Sequence, residues 1–551
     1  MTQPNDPPRQ PILVVGAGPT GLTAAAELAR RGVAVRCIDR AAGPSPHSKA
    51  LGVWPRTLEI LDRLGATGLI AERGLPLESF RYYSSGRQIA DIRFRDATRP
   101  VVLPQPDVEA ILRESLARAG GRTEWNTQLI DLEQRADGVT ALLRGADGSE
   151  RYETFSHLVG SDGASSAVRK LSGVAFDGET YPLTFVVADV RIDGDLEHDV
   201  NHYFCSPRGI LVAAGLPAGH FRIFTSAPPG SSREDITLGL VRQLLDERGP
   251  GGLTVHTPTW ISGFSVHARH AAAWRIGRVF LAGDAAHIHS PAGGQGLNTG
   301  VTDAHNLAWK LALVWHGHAR AELLDSYAPE RSQVAQSVVR QAHLQTRAWL
   351  LQKTYQVVLR DAAVRAISAL RLADLAYVPT LAGLRTVYQV TEAGDTSGGR
   401  AGGITSGALI PNRLVWDRRA VRRIPLRRAL SDSRYTLLIA GVSSRLLPGP
   451  ARRLLDWVLT TCPELVDVRL LDTRHNLCGA TDPVVTSPRR FRREPVVALV
   501  RPDHHVALSR RARDAAEIHE LLRACLPPRT PHPLGPPEPA TAGPPIGADQ
   551  S

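Results

Sequence analysis

The sequence predicts an α/β protein built on a Rossmann-like parallel sheet, with a second, mixed β-sheet inserted into the same domain. The chain opens with a βαβ pattern: an apolar strand over 12–16, a helix over 19–31 and a second apolar strand over 33–38. Between about 175 and 275 the pattern changes to short β-rich runs separated by Gly and Pro turns. A parallel-type strand returns at 279–284, so the β-rich stretch interrupts one larger domain.

The spacing of apolar residues predicts the remaining elements of these two units. Helices are expected over 55–64, 107–119 and 303–315, with mostly helical sequence over 331–376. Strands of the inserted sheet are expected over 184–192, 200–204, 209–214, 221–225 and 260–267.

A third, smaller α/β unit is predicted after the Gly-rich patch at 394–407, with strands near 435–440, 466–471 and 495–500. The last stretch contains nine prolines and almost no large apolar side chains, so it cannot bury enough surface to become ordered. The predicted domains are 1–174 with 276–395, an insertion at 175–275, a C-terminal unit at 396–526 and a disordered tail at 527–551.

The composition excludes several classes of protein. The net charge of +11 is carried almost entirely by Arg spread over the whole chain, which does not indicate a nucleic-acid surface. The first apolar run is too short for a signal peptide, and no run approaches the roughly 18 residues of a membrane span. We therefore expect a cytoplasmic protein without a membrane partner. The five cysteines include no C-x-x-C pair, which argues against a disulfide framework, a zinc ribbon or a dithiol redox site.

A glycine pattern between the first strand and the first helix predicts a dinucleotide site. Gly16, Gly18 and Gly21 form G-x-G-x-x-G. The first permits a tight turn, the second lets the backbone approach a pyrophosphate, and the third lets helix and strand pack closely. Asp39 follows at the end of the second strand, where a carboxylate can bind ribose hydroxyls. The pattern alone does not separate NAD from FAD.

Two later segments also place polar residues at the ends of apolar strands. The first ends in Asp162-Gly163 and is followed by Arg169, although an isolated Asp-Gly pair is usually only a turn. The second, at 278–287, delivers Asp284 to the sheet edge and leads into a Gly-rich loop at 291–300. A loop with so few side chains can bring backbone N–H groups against a flat polar ligand.

In this order and at these separations, the three segments resemble the class A flavoprotein monooxygenases of the para-hydroxybenzoate hydroxylase type, from about residue 10 to 395. The later stretch, from Gly398-Gly399-Arg400 to Val500-Arg501-Pro502-Asp503, resembles the C-terminal thioredoxin-like domain of the branch that holds phenol hydroxylase and aromatic-polyketide hydroxylases. The resemblance implies bound FAD, transient NAD(P)H and O2. Lacking C-x-x-C, the thioredoxin-like part is expected to be structural or to serve dimerisation, so a homodimer stays open.

The resemblance also assigns residues. Those implied to bind FAD are Gly16, Gly18, Gly21, Asp39, Lys49, Gln105, Arg113, Asp162, Arg169, Asp284, Gly296, Leu297 and Asn298, with Asp162 and Arg169 implicated for NAD(P)H as well. Pro291, Gly294 and Asn298 are the positions implied to face the reacting isoalloxazine ring. The family usually has Arg where this chain has Lys49, which keeps the charge but loses the bidentate fork. His287 and His289 lie in the flavin-facing loop, so a metal site is not expected.

The implied reaction is hydroxylation of an aromatic, phenol-like ring, of polyketide or other secondary-metabolite origin, through a C4a-hydroperoxyflavin. Candidates for the substrate-activating group lie in the inserted sheet: His202, Tyr203, Arg208, Phe224 and Trp260. Two alternatives stay open: Baeyer–Villiger-type or rearranging oxygenation on the same fold, and a non-redox protein that binds FAD and a metabolite. The preference for NADH or NADPH cannot be read from the motifs.

Overall fold

The computed structural model describes residues 9–46, 48, 50–391, 394–395, 399–417, 422–441, 447–472, 483–485 and 495–525. Lys49 and the predicted disordered tail, 527–551, lie outside the described residues.

The first part of the chain alternates strands and helices. Its strands are β1 (Ile12–Val15), β2 (Val35–Ile38), β3 (Gly52–Val53), β4 (Leu75–Pro76), β5 (Ser79–Ser84), β6 (Arg87–Arg93), β7 (Val101–Val102), β8 (Thr123–Glu124), β9 (Gln128–Gln134), β10 (Val139–Arg144), β11 (Glu150–Phe155) and β12 (His157–Gly160). Its helices are α1 (Pro19–Ala29), α2 (Pro55–Arg63), α3 (Thr67–Arg73), α4 (Gln105–Arg118) and α5 (Ala167–Leu171).

The middle of the chain is rich in strands and then becomes helical. Its strands are β13 (Phe176–Asp193), β14 (Val200–Ser206), β15 (Gly209–Gly215), β16 (His220–Ser226), β17 (Thr254–Val255), β18 (Trp260–Ala271), β19 (Arg275–Ile276), β20 (Val279–Leu281) and β21 (His287–Ile288). Its helices are α6 (Leu238–Arg248), α7 (Gly296–Trp315), α8 (Tyr327–Trp349), α9 (Thr354–Ala369) and α10 (Val378–Leu381).

The C-terminal part of the chain contains one seven-stranded sheet and two sheets of two short strands each. Its strands are β22 (Val390–Thr391), β23 (Gly394–Asp395), β24 (Arg400–Ala401), β25 (Ile404–Thr405), β26 (Leu414–Asp417), β27 (Arg422–Pro425), β28 (Tyr435–Ala440), β29 (Val466–Asp472), β30 (Pro483–Val485), β31 (Val496–Val500) and β32 (Val506–Arg511). Its helices are α11 (Leu426–Ala429), α12 (Gly449–Thr461) and α13 (Ala516–Cys525).

The predicted Rossmann-like sheet is confirmed. Six strands run in the order β19-β20-β12-β1-β2-β8, with β1 parallel to both β12 and β2. All four residues of β1 are buried, as expected for a central strand covered on both faces. This order brings the ends of β1, β12 and β20 side by side, and each of those ends carries one of the three sequence motifs.

The inserted sheet is larger than the sequence predicted. Its path is β21-β18-β13-β16-β15-β14-β5-β6, so β5 and β6, from the segment before 175, complete its edge. The sequence analysis placed this unit at 175–275, whereas the sheet also contains β5 and β6 from before that range and β21 from after it. Strand β5 pairs parallel with β14, a long-range pairing that the local pattern of either strand does not reveal.

Helix α7 also differs from its prediction, since it begins at Gly296 and not at residue 303. Its first five residues include two glycines, which are poor helix formers and made that stretch look like a loop. Gly300 is required there because a Cβ on it would lie 2.2 Å from Thr20 Oγ1 in α1. Close packing of α7 on α1 therefore overrides the local preference.

The C-terminal sheet has the order β27-β26-β30-β29-β28-β31-β32. Within it, β28 is parallel to β29 and antiparallel to β31, which in turn forms a hairpin with β32. With α12 between β28 and β29 and α13 after β32, this is the predicted thioredoxin-like arrangement. Its apolar core is shared with α7, since Trp309 packs edge-on against Tyr435.

A buried polar cluster, here called the junction network, joins the C-terminal unit to α7 and α8; it comprises Asn306, Lys310, Glu330, Arg501 and Asp503. Glu330 accepts bonds from Lys310 Nζ at 2.9 Å and from Arg501 Nη1 at 2.6 Å. Arg501 Nη2 also donates to Asp503 Oδ2 at 2.7 Å. These charged groups are fully or almost fully buried, so each needs the partner that the network supplies.

Candidate functional site

The first and second motifs meet at the end of β1. Gly16 has a φ of 104°, and a Cβ on it would lie 2.4 Å from the carbonyl oxygen of Ser161. Ser161 N donates to Val15 O at 2.8 Å, which keeps the two strand ends together. Glycine at position 16 is therefore needed both for the left-handed turn and for the close approach of β12.

The third motif meets the first at Thr20, in the first turn of α1. A Cβ on Gly283 would lie 2.5 Å from Thr20 Oγ1, and one on Gly300 would lie even closer. Two glycines from separate segments thus enclose one side chain at the start of α1. The structure thereby brings all three motifs to one edge of the Rossmann-like sheet.

This edge, here called the cradle, contains donors suited to a dinucleotide phosphate. Helix α1 has Gly18 as its N-cap and no side-chain cap, so its first N–H groups point outward. Among the described residues, no atom lies within 4 Å of a Cβ placed on Gly18. Its φ of −77° is open to any residue, so neither the packing nor the backbone of the protein demands glycine there.

Arg113, on α4, supplies a second sign of a missing anion. Its Nη1 is buried and has no hydrogen-bond partner among the described residues, and its nearest carboxylate oxygen, on Glu109, is 3.9 Å away. A buried guanidinium N–H without an acceptor is costly, and a phosphate oxygen would satisfy it. The open face of Gly18 and this N–H fit the diphosphate of FAD.

Asp39 lies at the end of β2, where the sequence predicts it. Its Oδ2 accepts from Ala17 N at 2.7 Å, and its Oδ1 accepts from Ala41 N at 2.8 Å. These two bonds fix the carboxylate beside the glycine turn. Each oxygen retains a lone pair for a ribose hydroxyl, and ribose binding by Asp39 stays a prediction.

The Gly-rich loop and the start of α7 form the other half of the cradle. Pro291 and Gly294 are exposed, and Gln295, the N-cap of α7, provides no side-chain cap. The N–H groups of Gly296, Leu297 and Asn298 therefore begin the helix at its positive end. Such an end suits the pyrimidine edge of a reduced, anionic flavin.

The side chain of Asn298 holds this loop in place. Its Oδ1 accepts from Trp54 N at 2.9 Å, while its Nδ2 donates to Gly52 O and Gly294 O, both at 2.8 Å. Trp54 Nε1 donates to Gly293 O at 3.1 Å. The amide side chain of Asn298 is thus used within the protein, and its backbone N–H is the group left for a cofactor.

Asp303, which the sequence analysis did not identify, anchors the strand end that carries Asp284. Its Oδ2 accepts from Gly283 N at 3.1 Å and lies 2.8 Å from His287 Nε2, while its Oδ1 accepts from Arg331 Nε at 2.7 Å. Burial alone would raise the pKa of Asp303, but Arg331 and His287 outweigh it and lower that pKa. Asp284 is exposed on the turn Gly283–Ala285 that this carboxylate holds.

His289 is a further polar group of the loop. Its Nδ1 lies 2.7 Å from Ser290 O, and its Nε2 is buried without a partner among the described residues. Burial, reinforced by His287, lowers the pKa of His289 to about 4. The ring is therefore neutral at pH 7.

Asp162 and Arg169 both form hydrogen bonds with backbone groups of the protein. Asp162 Oδ2 accepts from Ala167 N at 2.6 Å and so caps α5. Arg169 is buried and donates to Ala285 O at 2.9 Å and to Ala164 O at 2.8 Å. The pair braces the second motif against the third, and contact with FAD or NAD(P)H stays a prediction.

Gln105 begins α4, and its backbone N donates to Ser48 Oγ at 3.1 Å. Its side chain donates to Glu109 Oε1 at 2.8 Å. Lys49, its predicted neighbour at the cofactor, lies outside the described residues.

The inserted sheet turns an aromatic face toward the cradle side. Phe185 and Phe224 are stacked with ring centroids 5.1 Å apart, and Phe264 lies 6.3 Å from Phe185. These rings belong to the same apolar cluster as Trp54 and Ala292, which contact or belong to the Gly-rich loop. Phe224 and Phe264 are only half-buried, so part of each ring is accessible.

The five residues predicted as candidates for the substrate-activating group lie in different places. Tyr203 and Phe224 lie in this aromatic cluster, and Trp260 lies 5.4 Å from the guanidinium of Arg222. His202 points to the opposite face, because side chains alternate along β14, and its ring lies 6.0 Å from that of Tyr83 and 6.2 Å from that of Phe204. Arg208 is exposed in the turn between β14 and β15. The structure does not bring His202 or Arg208 to this face.

The described residues lack a metal centre and a membrane-spanning helix. They contain no group of three or more His, Cys, Asp or Glu side chains placed to hold a metal ion. No described helix is both long and apolar enough to cross a membrane.

Comparison with known proteins gives consistent matches. The profile of the family described as "FAD binding domain" matches residues 9–342. The 6-methylpretetramide 4-monooxygenase of Streptomyces rimosus is 38% identical over 446 residues, which cover 78% of this chain and 79% of that protein.

Solved structures match over almost the whole chain. The anhydrotetracycline hydroxylase OxyS from Streptomyces rimosus is 28% identical with a TM-score of 0.73, and the match covers 95% of this chain and 100% of that one. An aklavinone-11 hydroxylase, solved as a ternary complex with FAD and aklavinone, is 27% identical with a TM-score of 0.74, covering 94% and 99%.

Proposed function

The chain belongs to the FAD binding domain family and is an FAD-dependent monooxygenase, and we propose that it hydroxylates a phenol-like ring of an aromatic polyketide with NAD(P)H and O2. The observation that carries the proposal is the cradle, where three distant segments converge and leave unsatisfied donors. Helices α1 and α7 begin without a side-chain cap. The buried Nη1 of Arg113 likewise has no hydrogen-bond acceptor among the described residues.

In this proposal the cradle residues bind and orient FAD. The turn at Gly18 and the guanidinium of Arg113 hold the diphosphate, and Asp39 holds the adenosine ribose. The first N–H groups of α7 stabilise negative charge at the pyrimidine edge. When bound, FAD would supply the redox chemistry between NAD(P)H and O2, and the residues of the cradle would hold and orient it.

The substrate would lie between the Gly-rich loop and the aromatic face of the inserted sheet. Phe224 and Phe264 offer accessible ring surface for stacking, and Trp54 and Ala292 connect this apolar cluster to the loop. Such a slot suits a flat, fused-ring substrate and keeps water away from the reacting oxygen. The relatives named for tetracycline-type and aklavinone substrates support a polycyclic ring system.

Nicotinamide is assigned a transient role because the sequence has a single G-x-G-x-x-G pattern. That one pattern serves FAD, so NAD(P)H would approach the flavin from the solvent side of the loop. Asp162 at the start of α5 and Arg169 against the turn Gly283–Ala285 would border this approach.

The test is a coupled assay on FAD-loaded protein with a panel of polycyclic phenols. We expect at least one phenol to accelerate NAD(P)H oxidation and to gain one oxygen atom from 18O2. Mass spectrometry would detect that atom, and NMR would place it on a ring carbon. NAD(P)H oxidation that yields only hydrogen peroxide with every phenol would contradict the proposal, and oxygen inserted beside a ketone would replace hydroxylation by a Baeyer–Villiger reaction.

A variant sharpens this test. Phe224→Ala removes part of the aromatic face but touches none of the cradle, so it should weaken substrate binding while FAD binding is unchanged. We expect KM for the best phenol to rise about tenfold, the effect of losing one well-packed aromatic contact. Equal KM values for the variant and wild type would place the substrate elsewhere.

A further inference from the structure

Helix α9 and the turns beside it present large apolar side chains to solvent. Tyr355, Leu359 and Leu370 are 67%, 71% and 66% exposed. Of the fourteen exposed large apolar side chains in the described part of the chain, eight lie between residues 344 and 375, so exposed apolar surface is concentrated in this segment. We call this exposed apolar surface the α9 surface; it comprises Leu344, Tyr355, Val358, Leu359, Ile367, Leu370, Leu372 and Leu375.

Helix α9 has apolar residues both on the face that packs against the protein and on the face that is exposed to solvent. Val357 is buried and Val364 packs against the apolar cluster of the inserted sheet, so one side of α9 faces the protein. The outward side repeats at 355, 358, 359, 362, 363, 366, 367 and 370, which is the spacing of one helical face. Alanines occupy its centre, and the whole face is about 24 Å long.

The charges around this face are unbalanced. Five exposed cations border it, and none has an ion-pair partner among the described residues: Arg340, Arg347, Lys353, Arg365 and Arg371. The two acidic residues of the same segment are already paired. Asp361 binds Arg360 at 2.8 Å, and Asp374 binds Arg95 at 3.3 Å. The rim of the α9 surface is therefore positive.

We infer that the α9 surface docks on the surface of an anionic lipid bilayer. A convex row of large apolar side chains can enter the boundary between headgroups and acyl chains, while flanking cations meet anionic headgroups. A second copy of the chain is a poorer occupant, because a symmetric contact would bring two positive rims together. The sequence predicted no membrane partner because no segment can span a bilayer, but lying on a bilayer needs only one amphipathic face.

Docking at this surface would give the substrate a route from the lipid into the site, an argument that rests on the proposed function. A cleft of about 370 Å³ opens beside it, lined by Ser337, Arg340, Gln341, Leu344, Gln345 and Tyr377. At the inner end of the cleft, Gln345 Oε1 would lie 3.5 Å from a Cβ on Gly293 in the Gly-rich loop. A poorly water-soluble aromatic substrate could thus pass from lipid to the cradle without crossing bulk water.

The test is vesicle flotation of the full-length, FAD-loaded protein. We expect binding to vesicles of phosphatidylglycerol and phosphatidylcholine, little binding to pure phosphatidylcholine, and release as ionic strength rises. The double variant Val358→Glu/Leu359→Glu should lower the partition coefficient about tenfold or more. Arg365→Gln/Arg371→Gln should lower it about tenfold at low salt.

A matched control lies on α12, where Leu459 and Arg452 are also exposed. Leu459→Glu/Arg452→Gln makes the same kinds of change outside the α9 surface and should bind vesicles as wild type does. Thermal unfolding of every variant should match wild type, since all of these side chains point to solvent.

Several results would overturn the inference. They are absence of binding to anionic vesicles, equal binding to neutral ones, or an equal loss in the α12 control. A wild-type dimer in light scattering that Val358→Glu/Leu359→Glu converts to a monomer would show that a second copy covers the surface. NAD(P)H oxidation by the same preparations is measured in detergent-free buffer, so failure of docking and failure of the proposed function are seen separately.

Discussion

The junction network and the cradle both group polar atoms, yet the hydrogen bonding of those atoms differs. In the junction network each charged group meets a partner from the same chain, as Glu330 does with Lys310 and Arg501. In the cradle, Arg113 Nη1 and the first turns of two helices have no acceptor among the described residues. The paired charges of the junction network hold two parts of the chain together, whereas the open donors grouped at one sheet edge fit a ligand.

The pKa shifts follow this division. Burial alone would raise the pKa of Glu330, but Arg501 and Lys310 outweigh it, so the carboxylate is charged. Burial would likewise raise the pKa of Asp503, and Arg501 brings it well below its ordinary value. Loss of either cation would leave a buried anion without compensation, so the junction network should be sensitive to single substitutions.

The largest expected effect is therefore at Arg501. Arg501→Met removes the shared partner of Glu330 and Asp503 and should lower the free energy of unfolding by about 3–5 kcal/mol. Urea titration followed by circular dichroism measures this loss. Arg135→Met, at an exposed ion pair with Glu133, is the control and should leave the titration unchanged. An unaltered midpoint for Arg501→Met would mean that the network does not stabilise the junction.

A glycine substitution in the cradle should leave the stability of the apoprotein unchanged and weaken FAD binding. Gly18→Ala meets no protein atom within 4 Å, so the melting temperature of the apoprotein should stay at the wild-type value. The added methyl would occupy the approach of the diphosphate, and we expect FAD affinity to fall about thirtyfold, or about 2 kcal/mol. Isothermal titration with FAD and thermal unfolding without it give the two numbers.

Gly21→Ala is the comparison for that experiment. Its Cβ would lie 1.8 Å from Gly16 O, so the fold itself must shift. This variant should lose apoprotein stability as well as FAD affinity. If Gly18→Ala also destabilised the apoprotein, the open space at Gly18 would not be a ligand space.

The third prediction concerns Arg113, whose buried Nη1 has no hydrogen-bond acceptor among the described residues. Arg113→Gln should lower FAD affinity about tenfold, or about 1.4 kcal/mol, because one charge-assisted bond to the diphosphate is lost. Apoprotein stability should not fall, since Nη1 has no protein acceptor to lose. Fluorescence titration of FAD tests the first statement and thermal unfolding the second. A stability loss without an affinity loss would make Arg113 structural.

The smallest effect is a pH dependence at the junction. Burial lowers the pKa of His505 to about 4, below its unfolded value of about 6.5. The unfolded chain then binds the proton first, so stability is complete above pH 6.5 and falls as the pH drops toward 4. His505→Gln should remove about 1 kcal/mol of the loss measured between pH 6.5 and 5.5. A control at the half-buried His220, His220→Gln, should leave the slope unchanged, and an unchanged slope in His505→Gln would refute the assignment.

Sequence reasoning succeeded where the signal is local. Gly16 and Gly21 lie where the tight turn and the close packing of α1 require glycine, Gly18 has open space beside it, and Asp39 lies at the end of the neighbouring strand. The face of a strand is also local, and alternation along β14 could have excluded His202 once Tyr203 was assigned to the aromatic side.

The pairing of strands that are distant in the sequence could not be predicted from local patterns. Strand β5 joins the inserted sheet through a parallel contact with β14, more than a hundred residues later, and nothing in either segment encodes that partner. The roles of Asp162 and Arg169 were equally hidden, since a helix cap and a loop brace depend on neighbours in space. One signal could have found the junction network: Lys310 lies in an otherwise apolar helical run, where a charge implies a buried partner.

Because Trp309 and Arg501 tie α7 to the C-terminal sheet, that sheet is not a detachable accessory. A chain ending near residue 395 would expose Trp309, now fully buried, and would strip Glu330 of its bidentate cation. Since the same helix begins in the cradle, such a shortened protein should aggregate and lose its flavin together. Efforts to miniaturise this enzyme would have to redesign one face of α7 before removing anything.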